Sequence, residues 1–265
     1  TAVRITDHPY ADEGELTVAV IGARHGDEPI SLTVPLRFAE ELAAGYGIDP
    51  TATALIDETD LWILPLMNPD GRVARSRENA QGIDLNRNFP EAAQQSLGTF
   101  VDLGLRGEAP VPEADADLVP GYGSVAPEVV AVMDWAARRS FSSLLSLHSG
   151  STLVCYPYGS SLDGSSTYQA TPDDDLFIEL ATAYAALNPH IPSAPESPFP
   201  NGITNGAEWY AVTGELVDWM TRTGGTMAIT AELCDDKTPP ADDIEDHWLY
   251  NEPALTDFVQ RAQTG

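Results

Sequence analysis

Lysine is almost absent from this chain. Its 13 basic residues comprise Lys237 and twelve arginines, against 41 aspartates and glutamates, for a net charge of −28 over 265 residues. A surface so poor in positive charge excludes nucleic acid as a partner, because phosphates must be neutralised by Lys and Arg. It argues equally against docking on anionic membranes. Long apolar runs are missing too: no stretch approaches the roughly 18 residues of a membrane span, so membrane insertion is not expected. Cysteine is scarce. Cys155 and Cys234 could close one disulfide in an oxidising compartment or remain buried thiols, and both lie in apolar, strand-like segments. Repeats, low-complexity tracts and linkers are also lacking, so residues 1–265 read as one domain.

What is present suffices for a substantial core, with 43% apolar residues. Strand-like and helix-like segments alternate, which predicts an α/β layer structure. Leu16 to Ile21 and Leu61 to Leu66 read as buried strands, the second closed by the turn-forming Asn68-Pro69-Asp70-Gly71. Ser143 to Leu147 reads as a strand ending at His148, with a short strand around Leu153 to Tyr156 and a last one over Thr226 to Leu233. Helical spacing is found over Pro29 to Gly45 (Ile30, Val34, Phe38, Leu42), Ala126 to Arg139, Asp173 to Leu187 and an amphipathic stretch near 243–262. Residues 91–125 predict a long surface loop, and Asn188 to Asn205 an irregular stretch.

Three strand ends present polar groups. His25 and Glu28 follow the first strand, His148 ends a middle one, and Glu232 sits inside the apolar run Ile229-Thr230-Ala231-Glu232-Leu233. In an open α/β sheet, ligands gather beyond the carboxyl ends of the strands. With five histidines and 41 acids in the chain, the pair His25–Glu28 alone fits a polar loop as readily as a metal site. A third donor more than a hundred residues downstream is what a catalytic zinc site needs, since two His and one Glu leave a coordination position open. An acid buried without a partner is costly, so Glu232 is expected to be paired or functional. His8, His190 and His247 lie in loop-like or terminal context and carry no such expectation.

The run Arg77-Glu78-Asn79-Ala80-Gln81-Gly82-Ile83-Asp84-Leu85-Asn86-Arg87-Asn88-Phe89-Pro90 resembles the zinc metallocarboxypeptidases of the carboxypeptidase A-like family. The match is nearest to the regulatory branch that includes carboxypeptidases E, N and D. Asn68 to Gly71, Leu147 to Gly150, Tyr156-Pro157-Tyr158, Gly202 to Ala207, Trp209-Tyr210, and Glu232 followed by Lys237 and Pro239-Pro240 agree with that branch too. The resemblance spans roughly residues 15–260, in order.

It implies a mixed, twisted sheet of about eight strands with helices on both faces, one catalytic domain and one Zn2+. His25, Glu28 and His148 would hold the zinc, Glu232 would be the general base, and Arg77 would stabilise the oxyanion. Asn86 and Arg87 would bind the substrate's terminal carboxylate, and Tyr210 would close over the bound residue. The expected partners are peptide or protein C-termini. A monomeric, secreted or extracytoplasmic bacterial protein is expected; the start at Thr1, without a Met, fits a removed leader or a trimmed chain alike. Other relatives cleave cell-wall peptides or only bind peptides, and muropeptide hydrolysis is the main alternative.

The pocket for the C-terminal side chain departs from the regulatory pattern. Gly159 stands where that branch has an acid, and Val217, before Asp218-Trp219, stands where it has Gln. Without the acid, a guanidinium would be buried unpaired. Thr230 and Cys155 are expected to face the same pocket. Glu215, where the pattern has Gly, points either inward, accepting a basic side chain, or outward to solvent. An apolar or aromatic preference with secondary basic activity is the resulting expectation.

Overall fold

The structure is a computed structural model that describes residues 1–11, 13–90, 125–161, 163–193 and 199–264. The loop expected at 91–125 therefore lies outside the described residues, Val125 excepted. The strands are β1 (Val3–Ile5), β2 (Thr17–Ile21), β3 (Asp60–Leu64), β4 (Ser143–His148), β5 (Ser151–Tyr156), β6 (Ile203–Asn205) and β7 (Met227–Cys234). The helices are α1 (Ile30–Gly45), α2 (Pro50–Glu58), α3 (Pro69–Ala74), α4 (Pro127–Ala137), α5 (Asp174–Leu187), α6 (His190–Ser193), α7 (Gly206–Trp209), α8 (Leu216–Gly224) and α9 (Ile244–Thr264).

Among the described residues the sheet has seven strands rather than about eight, in the order β1-β3-β2-β4-β7-β5-β6. Strands β3, β2, β4 and β7 run parallel, while β1 and β5 each pair antiparallel with a neighbour. The short strands β1 and β6 lacked an apolar run long enough to be read from sequence. β6 falls inside the stretch expected to be irregular, and only its pairing with β5 makes it a strand.

Alternation along the strands sorts side chains onto two faces. Val18, Val20, Leu145, Leu147, Ile229 and Ala231 point to a first face covered by α1, α2, α5 and α9. There Ile30, Val34, Phe38 and Leu42 form the apolar stripe of α1 predicted from their spacing. α2 had no counterpart in the sequence reading, although Pro50 at its start and the Asp49 side chain, which accepts from Thr51 N and Ala52 N, make a well-formed N-terminus. Ala19, Ile21, Leu144 and Ala228 point to the second face, covered by α4 and α8. By the same alternation, Ser146 and His148 on β4 and Thr230 and Glu232 on β7 belong to the second face. This is the face that carries the site.

Candidate active site

Register places the chemistry. His148 and Glu232 are paired residues on adjacent parallel strands, and two residues below them, on the same face, Ser146 pairs with Thr230, which pairs in turn with Cys155 on β5. His25 and Glu28 lie in the turn between β2 and α1, at the same end of the sheet. That turn packs against the Asn68-Pro69-Asp70-Gly71 segment so tightly that a Cβ on Gly26 would lie 1.9 Å from the Gly71 carbonyl carbon. Asn68 is buried there, its Oδ1 accepting from Gly71 N at 2.9 Å and its Nδ2 donating to Arg24 O at 3.1 Å.

His25, Glu28 and His148 converge, each almost fully buried. His25 Nδ1 lies 2.8 Å from Glu28 Oε1, His148 Nδ1 lies 2.9 Å from Glu28 Oε2, and the two Nδ1 atoms are 3.1 Å apart. The outer nitrogen of His25, Nε2, lies 3.1 Å from Asp84 Oδ1. A guanidinium only donates, and Arg77 Nη1 lies 3.2 Å from Nδ1, so Nδ1 presents a lone pair while Nε2 carries the proton and donates to Asp84. Two acceptors thus face each other at 2.8 Å, an arrangement that a divalent cation between them would resolve. The donor set of two imidazoles and one carboxylate suits zinc.

The surrounding charges fit this use. Burial works against ionisation of Glu28, yet His148 and His25 hold its carboxyl well below the ordinary range. Burial, and then the Arg24 guanidinium, push His148 down to about 3, which keeps its imidazole neutral at neutral pH. Asp84 resists burial through His25 and Arg77 and stays ionised, Arg77 Nε donating to its Oδ2 at 2.8 Å. Burial, followed by the neighbouring Glu28, raises Glu232 to about 8, and Glu232 Oε2 has no hydrogen-bond partner.

A cavity of about 170 Å³ opens over this group, lined by the three ligand candidates and Glu232 together with Arg77, Asn86, Arg87, Tyr210, Glu215 and Thr230. Asn86 Oδ1 accepts from Leu216 N at 3.2 Å, which leaves its amide NH₂ to donate. Arg87 spends one N–H on Asn86 O at 2.8 Å. Glu215 lines the cavity. A Cβ on Gly159 would lie 2.2 Å from Glu215 Oε2, so the missing side chain makes room for that carboxylate. Cys155 also lines the cavity, and both cysteines are free thiols, with burial raising each.

Val217 does not join this group. It packs with Leu216, Trp219 and Met220 in the second-face core. Glu215 is the N-cap of α8, and two residues further along a helix is a rotation of roughly 200°, which turns Val217 towards the sheet.

Three supporting residues escaped the sequence reading. Asp84 orients His25, and Asp218 accepts from Gly159 N and Ser160 N at 2.8 and 2.9 Å, holding the pocket loop. Both stood inside quoted motifs. Arg24 did not: it is 1% exposed, donates to Ser146 Oγ and meets His148 Nε2. Its only trace in the sequence is the small Ser146 among leucines.

Solved structures share this fold across nearly the whole chain. Thrombin-activatable fibrinolysis inhibitor superposes with a TM-score of 0.75 at 21% identity, covering 100% of this chain and 66% of that one. Carboxypeptidase A from Helicoverpa armigera gives 0.73 at 21% identity, covering 99% and 64%. The family described as zinc carboxypeptidase, Peptidase_M14, matches residues 1–254, and the chain belongs to it. Among curated relatives, carboxypeptidase SOL1 of Arabidopsis thaliana is 34% identical over 257 residues, covering 97% of this chain and 48% of that protein. Carboxypeptidase D of Homo sapiens is 34% identical over 278 residues, covering 95% and 19%. The chain thus spans about half or less of these relatives. No helix among the described residues is long and apolar enough to cross a membrane.

Proposed function

We propose that this chain is a zinc-dependent carboxypeptidase that hydrolyses the C-terminal peptide bond, preferring apolar or aromatic C-terminal residues with secondary activity on basic ones. The observation that carries the reading is the convergence of His25, Glu28 and His148 one strand away from Glu232, with Arg87 in the same cavity. Zinc held by these three side chains would supply Lewis acidity and lower the pKa of a water to about 7.

The remaining roles belong to the chain itself. Glu232 has a free, buried carboxylate oxygen and a raised proton affinity, suiting it to take a proton from water and pass it to the leaving amine. Arg77, tied to Asp84 and 3.2 Å from His25 Nδ1, would meet the negative charge that develops on the carbonyl oxygen. Asn86 and Arg87 supply N–H donors for the terminal carboxylate, which makes the activity an exopeptidase. Tyr210, half exposed at the cavity mouth, can cover the bound residue.

The test compares zinc-loaded protein on N-blocked dipeptides with free and with amidated C-termini. Hydrolysis of the free acids only, lost with a chelator and restored by zinc, is the expected result. Equal turnover of the amides, or activity indifferent to the chelator, overturns the reading.

A further inference from the structure

Three turns meet at the rim of the metal cradle, and Lys237, the one lysine of the chain, passes between them. The loop that follows β7 lies along the β4–β5 turn. Gly150 N donates to Cys234 O at 2.7 Å, Thr152 Oγ1 to Asp235 Oδ1 at 2.7 Å and Ser149 Oγ to Lys237 O at 3.1 Å. A Cβ on Gly150 would lie 3.3 Å from Lys237 Cγ, so the lysine stem runs close along this turn. At its far end Lys237 reaches the turn between β2 and α1, with Nζ 2.9 Å from Asp27 Oδ2 and 3.5 Å from Glu28 Oε1. Thr238 Oγ1 donates to Asp27 O at 3.2 Å, and Ser149 N donates to Glu28 Oε2 at 3.2 Å.

We propose that Lys237 is a positioning residue for the metal: its ion pair with Asp27 clasps the loop after β7 onto the turn that carries His25 and Glu28, and so sets how tightly zinc is held. The inference rests on the zinc site of the carboxypeptidase reading and adds a determinant outside the three ligands.

Magnitudes decide where the clasp acts. The Lys237 side chain is 42% exposed, and an ion pair so open to water contributes little to folding. Metal affinity responds more steeply, because the groups that orient ligands are each worth roughly 10–100-fold. The sign follows from the charges. An ammonium beside a ligand oxygen would by itself repel a divalent cation, but Asp27 stands nearer to Lys237 than Glu28 does and balances its charge. What the pair delivers to the cradle is position, so cutting it weakens zinc binding.

Zinc affinity, read by competition with a chelator, tests this without any peptide. Lys237→Met and Asp27→Asn should each weaken binding roughly tenfold, and the double variant no more than either alone, since both remove the same contact. Lys237→Arg keeps the charge and the reach and should stay within about threefold of wild type. The urea midpoint of the zinc-free protein should barely move in any of them. Zinc affinity that is unchanged or tighter in Lys237→Met, additive losses in the double variant, or no rescue by arginine overturns the proposal. A zinc-free protein destabilised in step with the lost affinity also overturns it, because the lysine would then serve the fold at large. If Lys237→Met does not fold, acetylation of the folded wild type decides, Lys237 being the only lysine: the same weakening supports the clasp and unchanged affinity refutes it. Zinc bound with these shifts but no peptide cleaved sinks the carboxypeptidase reading alone, whereas a wild type that binds no zinc sinks both.

Discussion

The proposed metal cradle and side-chain pocket lie two residues apart on the same face of the same strands, yet they are built differently. In the cradle each donor is braced. Asp84 fixes His25, Ser149 N donates to Glu28 Oε2 at 3.2 Å, and Lys237 Nζ stands 2.9 Å from Asp27 and 3.5 Å from Glu28. Two of its three ligands are three residues apart in one turn, and the third is fixed by strand register. The pocket instead gathers Cys155, Glu215 and Thr230 from three separate segments, with Asp218 holding the loop that contains Gly159. On the proposed function, reactivity rests on local spacing plus one register, and selectivity on which loops meet.

The sharpest way to separate the two regions is to disable chemistry and leave the cradle whole. Glu232→Gln is expected to lower kcat by roughly 10²–10⁴-fold while one zinc per chain is retained, as single-turnover kinetics and metal analysis would show. Loss of the metal in this variant would mean that Glu232 belongs to the cradle. Asp84→Asn attacks the brace instead: zinc affinity should fall roughly 10–100-fold, read by competition with a chelator, with the C-terminal residue preference unchanged.

Gly159→Ala probes the pocket alone. The new methyl must displace the Glu215 carboxylate, so the ratio of kcat/KM on peptides ending in Arg to those ending in Leu should change severalfold, about 1 kcal/mol, while zinc affinity stays as in wild type. An equal fall in activity on all peptides would point to a general disturbance of the loop and break the contrast.

The smallest effect lies outside both regions. Burial, and then His190, lower the pKa of His247, with Asp243 and Asp246 opposing. A base depressed in the folded state takes up its proton first when unfolded. Its contribution to stability is therefore complete above the ordinary value of 6.5 and is lost as pH falls below it. His247→Gln should flatten the decline of the urea midpoint between about pH 7 and 5, leaving activity at neutral pH unchanged. A decline as steep as that of wild type would refute this assignment.

The long apolar strands and the helix stripe of Ile30, Val34, Phe38 and Leu42 were legible because burial on one face imposes a period that survives in sequence. β1 and β6 were not, since three-residue strands leave no such period, and in α2 the helical spacing of Ala52, Leu55 and Ile56 covers little more than one turn. In the site, the conspicuous residues were His25, Glu28, His148 and Glu232, polar groups at the ends of or within apolar strands. Arg24 was hidden for the opposite reason: an arginine in a loop reads as surface, and nothing local marks it as buried.

The sequence by itself determined which residue types are on offer as metal donors and that His25 and Glu28 lie three apart, because identity and short spacing are covalent facts. Tertiary structure alone decided that Glu215 lines the cavity, that Val217 turns to the core, and that Arg24 is buried against Ser146 and His148. The physical reason is that a side chain's direction and the field it feels depend on neighbours distant in the chain. Those neighbours meet only when the sheet closes its register and the loops pack on it.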